Sequence, residues 1–425
     1  MAERKTKTPN WLKLDNAAKI YPAASNRNWQ AIFRLSISLK EKIDETLLHE
    51  ALNKTLMRMP YFSYSLKKGI FWAYLEKIED EAKIYKDNRF PFNWDSNKTN
   101  PWLFRLKVHE NRIALETKHV LCDATGAMYF ITNIVANYLS IKYRTQIPSN
   151  GFILNPKDRP KPYEWEDSFL KHARKGTRSR KEDSAYKIIG TNLSKGEIII
   201  TNAKIPIDII KTRAKEYSCT INAFLSAVLL KALLDLQEED GRLSKPVKLS
   251  IPVNLRKYYK SKTLRNFSAY FNIPIHPSFG QYSLEDLIKQ AKAYSLLETS
   301  EQLINARMNT NVIAEKNPLI RLVPLFMKNA ILKIMYNLTG ERYFTLSISN
   351  LGLIHLPDKM NKYIEAIDFI PGSSKRNKIG ISVVGHGNTI SINVTRTIEE
   401  SRLEQKFLSN LVKLKVPVLV ECNRR

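Results

Sequence analysis

The hydrophobic pattern changes twice from a two-residue period to a helical one, and this change constrains the fold more than any other feature of the chain. Residues 33–39 alternate between apolar and polar, as in a strand with one buried face, and residues 43–59 then have helical spacing. A second alternation at 113–119 is followed by helical spacing at 131–143. Strands that alternate with amphipathic helices predict a mixed α/β protein.

A histidine ends the second alternating segment. His119 follows Ile113, Leu115 and Thr117 at two-residue intervals, so all four side chains are expected on one face of the strand. We therefore predict that His119 lies at a strand end and that residues 119–123 connect this strand to the next helix.

The remaining segments continue the mixture of strands and helices. A hairpin is predicted at 61–66 and 70–75, because Lys67-Lys68-Gly69 has the composition of a turn. Farther along, helices are predicted at 220–236, 284–309, 319–338 and after Glu399, and strands at 247–253, 267–275, 344–349, 379–384 and 390–394. Residues 157–187 are polar and basic. We predict an N-terminal half at 1–170, a basic linker at 171–187 and a C-terminal half at 188–425.

The charge of the chain indicates anionic partners without identifying one. The 425 residues include 68 Lys and Arg against 41 Asp and Glu, a formal net charge of +27, which attracts phosphates, nucleic acid or an anionic membrane. Few aromatic residues are interleaved with the basic linker, so we interpret it as a solvated crossover and expect no specific nucleic-acid partner.

The cysteines and the apolar segments bear on the compartment. Cys122, Cys219 and Cys422 have neither disulfide-like nor zinc-like spacing, which favours a reducing cytoplasm and predicts no metal site. No secretory signal is visible at the N-terminus. Separately, the protein is expected to be a monomer. The apolar segment 319–338 is interrupted by charged residues and a proline, so it is not expected to span a bilayer. We predict a helix packed on the core or lining a substrate channel, with contact to a membrane surface as the alternative.

His119 is the first candidate for chemistry. Transfer of an acyl group from a thioester to an alcohol or amine needs a base with a pKa near neutrality, and histidine comes closest. The thioester supplies the activated acyl group, so no protein nucleophile is required. The alternative is that His119 is a satisfied core residue and that Asp123 or Thr125 caps the next helix.

Several segments resemble one enzyme superfamily in order and spacing. The segment His119-Val120-Leu121-Cys122-Asp123-Ala124-Thr125-Gly126 resembles the active-site motif of the superfamily that contains chloramphenicol acetyltransferase, nonribosomal peptide condensation domains and bacterial alcohol acetyltransferases. Three further stretches resemble the alcohol acetyltransferase-like branch of this superfamily. They are residues 13–22, then Ile251-Pro252-Val253-Asn254-Leu255-Arg256 followed by Thr263-Leu264-Arg265-Asn266-Phe267, and finally Ser347-Ile348-Ser349-Asn350-Leu351-Gly352.

The resemblance implies a fold and a site. The fold would be α/β, with two similar halves that are each a mixed sheet flanked by helices, and with His119 in a tunnel between them. Coenzyme A would enter one mouth and the acceptor the other. His119 would be the general base, and Asp123 would be a structural partner paired with Arg256 across the halves; the alternative for Arg256 is a surface arginine after a strand. Ser349 and Asn350 would approach the tunnel, where a donor could stabilise an oxyanion.

Binding of the coenzyme and one departure from the family pattern complete the implied site. Candidate contacts to the phosphates of coenzyme A are Lys257, Lys260, Lys262 and Arg265, or the cluster 375–378, although each could be solvated surface. Many relatives have Gly directly after the motif Asp, whereas this chain has Ala124. If that position needs a positive φ, Ala124 costs energy.

The sequence therefore predicts an O-acyltransferase that moves an acyl group, expected to be acetyl, from coenzyme A to an alcohol hydroxyl. Amide formation on an amine, condensation from a carrier-protein thioester, and a catalytically silent basic binding protein are the alternatives. Cys122 as an acyl-carrying nucleophile is the disfavoured variant.

Overall fold

The computed structural model describes residues 8–25, 30–87, 91–92, 94, 100–174, 182–316, 322–336, 340–372, 374 and 376–424. The strands are β1 (Trp11–Lys13), β2 (Ile32–Leu39), β3 (Tyr64–Lys68), β4 (Ala73–Lys77), β5 (Ile84–Lys86), β6 (Phe104–His109), β7 (Arg112–Lys118), β8 (Ile199–Pro206), β9 (Val247–Asn254), β10 (Ser268–Ile275), β11 (Leu346–Leu353), β12 (Ile364–Ile370), β13 (Ile379–His386), β14 (Thr389–Arg396) and β15 (Leu419–Cys422). The α-helices are α1 (Ile20–Ala24), α2 (Glu45–Arg58), α3 (Ala124–Lys142), α4 (Ser168–His172), α5 (Ile207–Glu216), α6 (Ile221–Glu239), α7 (Leu284–Glu298), α8 (Glu301–Lys316), α9 (Leu325–Met335), α10 (Asp358–Asn361) and α11 (Arg402–Lys413).

The first half is built on a five-stranded sheet with the order β12-β2-β7-β6-β5. The two strands predicted from alternation, β2 and β7, are antiparallel neighbours, and Phe33 lies opposite Thr117. Leu35 and Leu115, also opposite each other, are fully buried in the first core together with residues of α2 and α3. This arrangement ends β7 just before His119.

The polar side of this sheet is buried as well, which the alternation did not predict. Arg34 and Glu116 are 4% and 0% exposed and stand opposite each other on β2 and β7. The guanidinium of Arg34 forms an ion pair with Asp87, and the ammonium of Lys107 lies 3.2 Å from the Glu116 carboxylate. Charged groups can be buried here because opposite charges compensate one another.

The second half is built on a seven-stranded sheet with the order β10-β9-β11-β13-β14-β8-β15. Strand β11 is parallel to both of its neighbours, whereas the other pairs are antiparallel. Helices α6, α7 and α11 pack on the sheet around a second core, in which Phe224, Phe271 and Phe407 are buried. The predicted mixed α/β class with two sheet-and-helix halves is confirmed.

One strand crosses between the halves and corrects the predicted division of the chain. Strand β12 belongs by sequence to the predicted C-terminal half, 188–425, yet it pairs with β2 of the first sheet, with Ile367 opposite Ile37. Its Ile364 and Phe369 are buried in the first core, which gives the strand a physical reason to cross. Of the predicted linker 171–187, residues 175–181 lie outside the described residues.

The segment predicted as a core-packed helix at 319–338 is different in the structure. Residues 319–321 and 337–338 lie outside the described residues, and α9, at 325–335, has no buried residue. Leu325 reaches the first core, but most apolar side chains of α9 face outward. The prediction that this helix packs its apolar face on the core is therefore wrong, and the alternative that it lines a substrate channel stays a prediction.

Two further sequence expectations shift at their boundaries. The helix predicted at 284–309 is divided into α7 and α8, and the strand predicted at 344–349 continues to Leu353. In the part of the chain that the structure describes, no single helix is long and apolar enough to cross a membrane; α5 and α6 pass that test only as a pair bent by 80°.

Candidate active site

His119 lies where the two halves meet. Its main-chain N–H donates to the carbonyl of Ala31 over 2.7 Å, which continues the pairing of β2 with β7. Its main-chain carbonyl accepts a hydrogen bond of 2.9 Å from Nδ2 of Asn266, a residue of the second half. Both halves thus hold the backbone of the histidine at the strand end that the alternation predicted.

The imidazole is enclosed by aromatic rings. The ring of Tyr21 stacks on it with centroids 5.3 Å apart, and the ring of Phe33 lies 4.6 Å away at a tilt. Nδ1 of His119 is buried and has no hydrogen-bond partner among the described residues. Burial lowers the pKa of His119 to about 4, against the opposing effect of the Asp123 carboxylate and of Asn266. The ring is therefore neutral at physiological pH, which is the form that accepts a proton, but its pKa lies below the near-neutral value expected of a general base.

Asp123 is the N-cap of α3 and accepts four hydrogen bonds. Its Oδ1 accepts from the N–H of Gly126 at 3.0 Å, the expected capping interaction at a helix N-terminus. Its Oδ2 accepts from the N–H of Phe267 at 2.9 Å, and the two oxygens receive Nη1 and Nη2 of Arg256 at 2.8 and 3.2 Å. The structure thus brings Asp123 and Arg256 together across the two halves.

All five N–H donors of Arg256 have acceptors. Besides the two bonds to Asp123, Nε donates to the carbonyl of Thr263 at 2.9 Å, Nη1 to Oδ1 of Asn254 at 3.3 Å, and Nη2 to the carbonyl of Arg265. The side chain is only 10% exposed, so the surface alternative for Arg256 is wrong. Every donor of the guanidinium is engaged, and the carboxylate accepts four hydrogen bonds. The Asp123–Arg256 ion pair is therefore a structural contact between the halves and does not transfer protons.

The first turn of α3 explains why alanine is tolerated after the motif aspartate. Ala124 is the first helical residue of α3 and so has an ordinary right-handed conformation, which removes the expected cost of a positive φ. The restricted position is Gly126, where a Cβ atom would lie 2.0 Å from the carbonyl oxygen of Leu264. The close approach of the second-half loop therefore demands the glycine two residues later than the family pattern places it.

A buried network behind His119 was not predicted. Asn266, which holds the carbonyl of His119, also donates to Oδ2 of Asp15 at 3.2 Å. Oδ1 of Asp15 accepts from the N–H of Ala18 at 2.7 Å, and burial raises the pKa of Asp15. A lone aspartate in the apolar stretch Leu14 to Ala18, within a segment that shares the family resemblance, was the available signal.

Arg265 belongs to this network, which corrects its predicted role. It is 3% exposed, its Nε lies 3.3 Å from Oδ2 of Asp15, and its guanidinium donates to the carbonyls of Trp165 and Lys13. A side chain enclosed in this way cannot reach the phosphates of a coenzyme. Lys257, Lys260 and Lys262 of the same loop are exposed.

In the second group of candidate phosphate contacts, the side chains of Asn377 and Lys378 are engaged in the fold, whereas Arg376 is exposed. Lys375 lies outside the described residues. Arg376 donates its main-chain N–H to Glu341, Asn377 is buried and accepts from Lys187, and Lys378 donates to Asn192.

Ser349 and Asn350 lie on β11 and point to opposite faces. Ile348, next to Ser349, is buried in the second core, so Ser349 points to the opposite face of β11, and Leu351 farther along packs against the first core. Asn350 donates to Oδ1 of Asn222 on α6 at 3.2 Å and accepts from the N–H of Gly352 at 2.7 Å. After Asn350 the strand is irregular, and Gly352 has a φ of +73°.

Cys122 is fully buried, and burial together with the Asp123 carboxylate raises the pKa of its thiol well above 9. Because the thiolate is the reactive form, this environment is unsuited to a nucleophile. Within the described residues, no three His, Cys, Asp or Glu side chains are grouped as metal ligands would be.

Comparison with known proteins identifies the fold. No protein-family model matches the sequence, and no curated protein matches it. Among solved structures, the chain is similar to Fusarium graminearum TRI101 complexed with coenzyme A and deoxynivalenol, with a TM-score of 0.62 at 10% identity over 96% of this chain and 99% of that one. It is also similar to the trichothecene 15-O-acetyltransferase TRI3 of Fusarium sporotrichioides, with a TM-score of 0.59 at 13% identity over 96% of each chain.

A third similar structure is the epimerization domain of tyrocidine synthetase B, with a TM-score of 0.59 at 13% identity over 97% of this chain and 98% of that one. These likenesses extend over the whole chain, and they show its fold. The chain therefore shares the two-halved fold of these proteins, in agreement with the fold that the sequence resemblance implied.

Proposed function

We propose that the protein is a coenzyme A-dependent O-acyltransferase in which His119 is the general base. The observation that carries this proposal is the placement of His119: a neutral imidazole at a strand end, with its backbone held by Ala31 of one half and Asn266 of the other. The fold shared with an O-acetyltransferase and with a protein crystallised with coenzyme A supports the reaction class.

The proposed step is direct transfer from the thioester to the hydroxyl. Nε2 of His119 accepts the hydroxyl proton while the oxygen attacks the thioester carbonyl. The tetrahedral intermediate then collapses, the carbon–sulfur bond breaks, and the imidazolium returns its proton to the departing thiolate. A positioned base typically contributes ~10²–10⁴ to the rate of such a step.

Asp123 assists this step electrostatically and without direct contact. Its carboxylate is bonded to Gly126, Phe267 and Arg256, so it is not available as a proton carrier. Its charge nevertheless favours the protonated form of His119. The imidazolium that forms during attack is therefore less costly than it would be in an uncharged pocket.

Ser349 is a better candidate than Asn350 for stabilising the oxyanion. It lies on the face of β11 directed at the first half, where His119 is found, whereas the Asn350 amide is bonded to Asn222 on α6. A single well-placed donor is typically worth ~10²–10³ in rate.

The exposed lysines Lys257, Lys260 and Lys262 are suited to bind the phosphates of the acyl donor, coenzyme A. They lie on the loop whose carbonyls, from Thr263 and Arg265, bind Arg256. A phosphate contact on this loop would therefore be coupled through Arg256 to Asp123 and to the start of α3.

The proposal is tested by incubating the protein with acetyl-coenzyme A and longer acyl-coenzyme A donors in the presence of a panel of alcohols and amines. Release of free thiol and the mass of the acylated product are measured together. We expect an acylated alcohol with one thiol released per product. Transfer to amines alone would move the proposal to amide formation, and no transfer from any donor to any acceptor would overturn it.

A further inference from the structure

The outward face of α9 forms part of a continuous apolar surface. At about 100° per residue, Phe326, Ala330 and Ile334 lie along one edge of the helix, and the positions next to them carry Met327, Ile331 and Met335. Together they occupy about half of the helix circumference, and all six are exposed, with Phe326 at 74% and Ile334 at 58%. A helix packed on a core has the opposite arrangement.

The turn between β3 and β4 extends this surface. Ile70 is 78% exposed and Trp72 50% exposed. The N–H of Leu325 donates to the carbonyl of Ile70 at 2.8 Å, and the ammonium of Lys328 donates to the carbonyl of Phe71 at 2.9 Å. Two segments that are distant in sequence are therefore held side by side. We call residues 70–72 and the exposed side chains of 322–335 the apolar patch.

The charged side chains within the two segments of the apolar patch are all cationic. Residues 67–72 and 322–336 contain four lysines and no carboxylate: Lys67, Lys68, Lys328 and Lys333. Two carboxylates contact these segments from outside: Glu76 lies 3.4 Å from Lys67 on the exposed surface, and Glu341 accepts a hydrogen bond of 2.7 Å from the Tyr336 hydroxyl. The whole chain also carries a formal net charge of +27, which favours approach to an anionic surface.

We infer that the apolar patch docks on an anionic lipid bilayer, with α9 lying in the plane of the interface. Apolar and aromatic side chains on one helix face, flanked by lysines, are the composition of helices that bind membrane surfaces. Tryptophan is favoured at the same depth. Each lysine near an anionic surface adds about 1 kcal/mol of attraction. This inference does not depend on the acyl transfer reaction.

Vesicle co-sedimentation of the full chain tests the inference. Phosphatidylcholine vesicles are compared with vesicles that also contain phosphatidylserine, at low and high salt. We expect binding that requires phosphatidylserine and weakens with salt, and at least about a tenfold loss of binding in the double variant Phe326→Glu/Ile331→Glu, because each charge would enter the apolar layer.

The control is Phe279→Glu, which places the same charge at an aromatic side chain that is 79% exposed but lies outside the apolar patch, after β10. This variant should bind as the wild type does. Because all three positions are exposed, circular dichroism and thermal unfolding should be unchanged in both variants.

Three results would overturn the inference. They are the absence of wild-type binding to anionic vesicles, equal binding by the double variant, and a wild-type dimer that dissociates in the double variant without any vesicle binding. The third result would show that a second copy of the chain covers the apolar patch.

Discussion

The carboxylate of Asp123 and the guanidinium of Arg256 form a two-pronged ion pair, with distances of 2.8 and 3.2 Å, that joins the start of α3 to the loop after β9. Their side chains are 7% and 10% exposed. This buried pair therefore connects the two halves, and its Asp123 lies four residues after His119, the residue proposed as the base.

Replacement of Arg256 is expected to destabilise the protein. Arg256→Met leaves the buried carboxylate of Asp123 without its counter-charge, for which a loss of about 3–5 kcal/mol in the free energy of unfolding is expected. Arg256→Lys should recover only part of this loss, because an ammonium cannot form the two-pronged contact. Chemical denaturation measures both values.

The matched control is the pair formed by Arg174 and Glu301, which has the same 2.8 Å separation but lies 73% and 64% exposed. Arg174→Met should change the free energy of unfolding by less than about 1 kcal/mol. Equal effects of the two methionine variants would show that Arg256 is an ordinary surface residue.

Substitutions in the first turn of α3 should distinguish its two small residues. Gly126→Ala puts a methyl group 2.0 Å from the carbonyl oxygen of Leu264, so we expect a loss of stability of about 1–3 kcal/mol or more and reduced activity. Ala124→Gly should cost less than about 1 kcal/mol, since Ala124 is already helical. A stabilised or more active Ala124→Gly variant would contradict this account of the turn.

Asn266 is expected to position His119. Asn266→Ala removes the hydrogen bonds to the carbonyl of His119 and to Asp15, and should cost about 1–3 kcal/mol of stability. It should also lower kcat by roughly tenfold or more with a smaller change in KM, because the base is displaced.

Asn272 provides the comparison for Asn266. It is equally buried, but its amide donates to Glu182 in the predicted linker. Asn272→Ala should lose similar stability while kcat is retained. A similar loss of kcat in both variants would mean that the effect of Asn266 is general destabilisation.

The sequence predicted the local structure around the site better than its long-range contacts. The alternation at 113–119 identified the strand and the position of His119, because one buried face is a local signal. The pairing of Asp123 with Arg256 came from the family resemblance, since no local pattern relates residues so far apart. The roles of Asp15 and Asn266 were missed for the same reason.

The remaining differences also depend on contacts between distant segments. Strand β12 joins the first sheet because Ile364 and Phe369 find an apolar core there, which its own neighbours in sequence do not indicate. For α9, the helical spacing of apolar residues predicted an amphipathic helix. This spacing does not determine whether the apolar face is directed at the core or at the surroundings.

The acid sensitivity of folding should report the environment of His119. Burial lowers its pKa to about 4, below the value of about 6.5 expected for an unfolded chain, so the unfolded state binds more protons between these values. The contribution of His119 to stability is therefore complete above pH 6.5 and is lost as the pH falls toward 4. His119→Gln should lose less stability than the wild type over this interval in parallel denaturation series. If the wild type and His119→Gln lost equal stability between pH 6.5 and pH 4, His119 would not be held neutral by burial.

The role of His119 as the base is measured by the acceptor-dependent rate of thiol release from acyl-coenzyme A, compared between the wild type and His119→Ala. His172→Ala is the control, because its ring also packs on aromatic residues, Tyr259 and Phe267, but lies outside the site. We expect the rate to fall by at least about 10²-fold in His119→Ala and to change little in His172→Ala, with both variants folded. Equal rates for the wild type and His119→Ala would contradict this role.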